Sequence, residues 1–114
     1  MSFLTILKWI GAIGTIATGL LALVAPQQVQ GFTGLRIEGG RGVTEVRSIF
    51  GGLFIALGAA VLISRAPITF WMLGVMYLGI AVVRGVSIFI DHSSVQSNWI
   101  SLVVEIVFGV ILIL

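Results

Sequence analysis

The sequence predicts an all-α protein, an integral membrane four-helix bundle forming a single membrane domain over residues 1–114; two helical hairpins in weak repeat, or a chance likeness between them, are both left open. Three observations carry this. The chain is 59% hydrophobic and 9% charged, where a soluble domain carries about a quarter charged residues. Its mean hydropathy is +1.23. Four apolar segments, at about residues 3–24, 45–64, 67–90 and 98–114, each approach the ~20 residues that a helix needs to cross a ~30 Å hydrocarbon core. A chain of 114 residues has too little interior to bury stretches so long, so lipid must cover them. The sequence pI near 10.0 reflects only six basic against four acidic residues. With no basic run longer than one residue, nucleic acid is excluded as a partner.

The first span ends in Leu23-Val24-Ala25, a small-residue pattern that could be read as a secretory signal. Lys8 interrupts the apolar run instead of preceding it, and the run is long, so a retained helix is expected. Pro26 and the amides of Gln27, Gln28 and Gln30 stop that helix, because proline cannot extend it and glutamines prefer the wet interface. A main loop at about 25–44 follows, rich in glycine at Gly31, Gly34, Gly39, Gly40 and Gly42. Ser64-Arg65-Ala66-Pro67 is a tight turn whose proline suits a first helical position, making the second and third helices antiparallel neighbours. The last loop, Asp91 to Asn98, is hydroxyl-rich. Its serines or Asn98 are expected to cap the fourth helix, and Trp99 to anchor it at the interface. Phe50-Gly51 and Phe108-Gly109 recur at similar places in the second helix of each hairpin, the basis for the repeat. The positive-inside comparison sets Arg36 and Arg41 against Lys8 and Arg65 and leaves orientation open.

Glu45, Arg47, Arg84 and Glu105 lie within or at the edge of apolar spans, where an ionised group costs roughly 2.5–3.5 kcal/mol on insertion scales unless it finds a partner or water. At a 1.5 Å rise per residue, Arg84 and Glu105 lie roughly 9 Å below one surface. Arg47 enters from the same side, and Glu45 and Asp91 sit nearer the headgroups. Positions three or four apart share a helix face. Arg47 thus goes with Gly51, Phe54 and Gly58. Arg84 goes with Gly74, Tyr77, Ala81, Ile88 and Asp91, and Glu105 with Asn98, Ser101 and Gly109. An Arg84–Glu105 pair is expected, with Arg47 bridging and Glu45 neutralising what remains. Such a cluster either clasps helices together or binds an anion or lipid headgroup. Small-residue ridges at Gly11, Thr15 and Gly19, and at Gly52, Ala56 and Ala60, read as helix-packing seams, mainly intramolecular, with oligomer or partner contact as the alternative.

Nothing resembles an enzyme centre. His92 lacks a second ligand, so no metal or haem is expected. Asp91-His92-Ser93 as sequence neighbours is not a triad. Glu38-Gly39-Gly40-Arg41-Gly42 follows no strand and lacks the Gly-Lys-Ser/Thr ending of a phosphate loop. Zero cysteines excludes thiol redox chemistry, and no cofactor is expected. An intramembrane enzyme would rest only on Tyr77, His92 and the carboxylates lying near one another.

From Glu45 to Gly58, through Arg47-Ser48-Ile49-Phe50-Gly51-Gly52, and again at Gly79, Arg84, Gly85 and Glu105, the chain resembles a family of small bacterial tetraspan membrane proteins of unknown function. Ser48 and Phe50 stand where that family more often has alanine and tyrosine. The resemblance implies a multi-pass protein of the bacterial inner membrane and treats Arg47, Arg84 and Glu105 as a set. It implies no activity. The function expected is non-enzymatic: an accessory or scaffold subunit of a larger membrane complex, its partners being the lipid bilayer, other membrane subunits or a second copy. A small transporter or anion/lipid-headgroup-binding protein is the alternative.

Overall fold

The computed structural model describes residues 2–114, and every regular element among them is helical. We label them α1 (Phe3–Val24), α2 (Pro26–Thr33), α3 (Gly39–Ser64), α4 (Pro67–Ile90) and α5 (Gln96–Ile113). Of these, α1, α3, α4 and α5 are long and apolar enough to cross a membrane, as the hydropathy pattern requires.

Two differences from the sequence reading fall in the region expected to be the main loop, 25–44. Pro26 ends α1 but also opens α2, since its fixed φ and missing N–H are harmless at a first helical position. Gly34, at φ 78°, closes α2 by donating its N–H to the Gln30 carbonyl. The glutamine amides then hold the bend: Gln30 Nε2 donates to Gln27 Oε1, and Gln30 Oε1 accepts the Ile37 N–H at 2.7 Å. The second difference is that α3 begins at Gly39, ahead of the expected 45. Its glycine-rich first turns are propped by an Arg41–Glu45 ion pair one turn apart and by the Thr44 hydroxyl donating to the Gly40 carbonyl.

Residues Val46–Leu53 of α3 are wound as a π-helix. This stretch contains Arg47 to Gly52, one part of the sequence that carries the family resemblance. Wider turns of this kind recur at functional positions and shift the faces of the residues that follow.

The chain forms two compact units, one from Ala12 to Ser64 and the other from the residues up to Gly11 together with Arg65–Leu114. Each contains an antiparallel helix pair closed around glycines. In the first unit, a Cβ on Gly19 would stand 2.7 Å from the Gly51 carbonyl oxygen, and one on Gly51 would stand 3.3 Å from the Gly19 oxygen. Further along α3, Gly58 is pressed against Ala12 and Ile16. In the second unit, Gly74 and Gly109 repeat the reciprocal arrangement, at 2.9 and 3.3 Å. Beside them the Tyr77 and Phe108 rings meet edge-to-face at 5.6 Å, and Gly11 lies against Leu112. Gly51 and Gly109 are the two glycines singled out by the recurring Phe-Gly pair. In lipid, where the solvent is as apolar as the side chains, such close backbone approach supplies the attraction between helices. The remaining faces carry large apolar residues outward, among them Val82, Val83, Phe89 and Ile63, as lipid contact demands.

The α4–α5 turn ends α4 with a Schellman arrangement: the Ser93 N–H bonds the Ile88 carbonyl at 3.0 Å, and His92 takes the left-handed conformation at φ 50°. Glycine is the residue best suited there. His92→Gly is therefore expected to raise stability by about 0.5–1 kcal/mol and His92→Val to lower it, measured by thermal unfolding in micelles.

Candidate functional site

Two polar side chains at membrane depth meet because α4 and α5 run antiparallel. On α4, Gly74, Tyr77, Ala81 and Ile88 are buried, and Arg84 lies half-buried on the same stripe. On α5 the matching stripe holds Glu105 and Gly109, both buried, with Asn98 half-buried nearer the turn. The small residues at 74 and 109 let the helices approach, and the long side chain of Arg84 then spans the gap.

The Arg84 guanidinium grips the carboxylate with two nitrogens. Nε donates to Oε1 at 2.7 Å and to Oε2 at 3.0 Å, and Nη2 donates to Oε2 at 2.8 Å. Nη1 donates to Asn98 Oδ1 at 2.9 Å. Asn98 is itself fixed, with Nδ2 donating to the Ser93 carbonyl and hydroxyl at 3.0 and 3.1 Å. The planar fork matches the carboxylate and makes this the strong form of ion pair. The Glu105 side chain is 10% exposed and that of Arg84 31%, so the carboxylate is sequestered while the cation keeps a solvent- or lipid-facing edge. Of the five guanidinium N–H bonds, the second hydrogens on Nη1 and Nη2 have no acceptor among the described residues.

That edge opens on a groove of about 600 Å³ lined by Gly79, Ile80, Val83, Arg84, Ser87, Asp91, Ser93 and Asn98. Asp91 sits at its mouth, exposed, with no ion-pair partner among the described residues.

Arg84 and Glu105 pair as the face analysis requires. Arg47, expected to bridge to them, belongs to the other unit, where it donates Nε to the Leu23 carbonyl at 3.1 Å. The reason lies in the α1 terminus, whose last carbonyls lack helical donors; a long guanidinium near Gly51 reaches them. Glu45, expected to balance that remaining charge, accepts from Arg41 at 2.7 Å on an exposed turn. Asn98 does not cap α5, whose N-cap is Val95 without a side-chain bond; it braces the arginine. Its place in the site was readable from its position seven residues before Glu105 on one stripe. Ser94 also serves elsewhere, accepting from the Trp99 indole at 3.0 Å while Trp99 stacks edge-on with Phe89.

One further expectation changes. Gly11, Gly19, Gly51, Gly58, Gly74, Ala81 and Gly109 do pack closely or lie buried, but Gly52 and Ala56 do not. A Cβ on Gly52 would find nothing nearer than 3.9 Å, and Gly52, Ala56 and Ala60 are all exposed. Gly51 and Gly58 set the face that α3 turns to α1, and positions 52, 56 and 60 lie well round the helix from it.

Four apolar spans and a sequestered arginine–glutamate pair define a multi-pass α-helical membrane protein. The chain belongs to the family described as a domain of unknown function, DUF4345, which matches residues 3–114. No curated protein and no solved structure matches the chain.

Proposed function

We propose that this protein is a non-enzymatic accessory or scaffold subunit of a larger membrane assembly, resident in the bacterial inner membrane. The observation that carries the proposal is the open ridge of Gly52, Ala56 and Ala60 on α3. Small residues at four-residue spacing let a second helix approach closely, whereas the seams through Gly11, Gly19, Gly51, Gly58, Gly74 and Gly109 are already filled by this chain's own residues. Ile49, Leu53 and Ile63 flank the ridge and are exposed, giving large shoulders beside a shallow furrow. The family resemblance supports the bacterial inner membrane as its setting. Transport is a weaker fit, because Glu105 is gripped by two guanidinium nitrogens and exchange of a proton or ion would require it to let go.

The test is gentle extraction from native membranes, size separation, and mass spectrometry of what travels with the chain. Co-migration with other membrane protein in fixed ratio is expected, and Ala56→Leu is expected to abolish it without lowering the thermal stability of the isolated chain. Migration as a lone chain carrying only lipid, unaffected by Ala56→Leu, would overturn the proposal.

A further inference from the structure

The groove beside Arg84 changes character along its length in the manner of a phospholipid. Gly79, Ile80 and Val83 line its deep end and offer only hydrocarbon and backbone. Arg84 and Ser87 follow, and Asp91, Ser93 and Asn98 complete the end towards the turn. Arg84, Ser87 and Asp91 stand three and four residues apart, so they share one face of α4 at steps of about 5 Å.

The donors and charges select a headgroup. Two guanidinium hydrogens of Arg84 are unused, and the Ser87 hydroxyl has no partner among the described residues. Together they present donors to a phosphate, the group for which a guanidinium is best shaped. Glu105 already neutralises Arg84, so the groove has no surplus positive charge to hold a lipid that is anionic overall. One turn above Ser87, the unpaired Asp91 carboxylate repels anions and attracts a cation. A primary ammonium donates hydrogen bonds to a carboxylate; a quaternary ammonium has none to give.

We infer that the groove between Gly79 and Asp91 on α4, closed by Ser93 and Asn98, binds a phosphatidylethanolamine molecule, with the phosphate on Arg84 and Ser87 and the ammonium on Asp91. The acyl chains continue past Val83, Ile80 and Gly79 into the bilayer. The site is distinct from the ridge on α3 and stands without the subunit role.

Native mass spectrometry of the purified full-length protein tests this, after equilibration with micelles containing equal amounts of phosphatidylethanolamine, phosphatidylcholine and phosphatidylglycerol of matched chains. One phosphatidylethanolamine per chain is expected to be retained over the other two. Asp91→Asn, on an exposed turn, is expected to reduce that preference about tenfold, the loss of one charge-assisted contact. Ser87→Ala is expected to weaken retention of all three lipids alike, and both variants should unfold at the wild-type temperature. Preferential retention of phosphatidylglycerol, or a preference unchanged in Asp91→Asn, would overturn the assignment. So would competition by soluble glycerophosphoethanolamine as effective as that by the diacyl lipid, which would assign the affinity to the headgroup alone.

Discussion

Replacing Glu105 by leucine is expected to destabilise the α4–α5 pair by about 3–5 kcal/mol, whereas replacing Arg84 and Glu105 together by leucines is expected to recover most of that loss. In the single variant three donor contacts from Arg84 lose their acceptor, and a cation remains at a depth where charge is costly. In the double variant no charge is stranded, and the groove side of α4 gains apolar surface in contact with lipid. Arg84→Leu alone should also be severe, because Glu105, with only a tenth of its side chain exposed, would keep a buried carboxylate or take up a proton. Unfolding of the three variants in micelles by heat or denaturant gives the comparison. Equal losses for single and double variants would show that the two side chains contribute separately.

Gly74→Val and Gly19→Val form the second pair of large effects. A Cβ at either position would meet backbone oxygen, 2.9 Å away at Gly109 and 2.7 Å away at Gly51. A flexible side chain could turn aside, but a helix backbone must move as a whole, so a loss of about 3 kcal/mol or more is expected for each, at the upper end of overpacking costs. Gly79→Ala serves as the control. Nothing lies within 4 Å of its new Cβ, and alanine suits a helix better than glycine, so stability should be unchanged or slightly higher. Thermal unfolding in the same micelles reads all three. If Gly79→Ala costs as much as Gly74→Val, close helix approach is not the source of the loss.

The spans and the Arg84–Glu105 pair were legible because both rest on simple periodicities: apolar length against bilayer thickness, and the three-to-four-residue stripe that aligns 74, 77, 81, 84 and 88 on α4 with 98, 105 and 109 on α5. Antiparallel order then determines which charge meets which. What was not legible depends on competition between partners. Arg47 enters from the side of the deep pair, but the carbonyl that it meets at the end of α1 leaves no signature in the sequence. Glu45 goes to Arg41 because α3 starts at Gly39, which brings Arg41 one turn away. The π-helical stretch at Val46–Leu53 leaves no mark in hydrophobic periodicity, although the residues it contains form the motif that stood out. Small residues at four-residue spacing, such as Gly52 and Ala56, look alike in sequence whether or not the seam they form is occupied. Only the neighbours of each Cβ position separate a filled seam from an open one.

The chain has no cysteine, which permits a direct measurement of what meets the open ridge on α3. A single thiol introduced as Leu53→Cys stands on the exposed shoulder of the ridge, and one introduced as Val82→Cys stands on an exposed face of α4. Each would be labelled in native membranes with a short photoactivatable reagent and illuminated. A discrete protein adduct of defined mass is expected from position 53, only lipid adducts from position 82, and loss of the first adduct when Ala56→Leu fills the furrow. Lipid adducts alone at both positions would show that no protein meets the ridge.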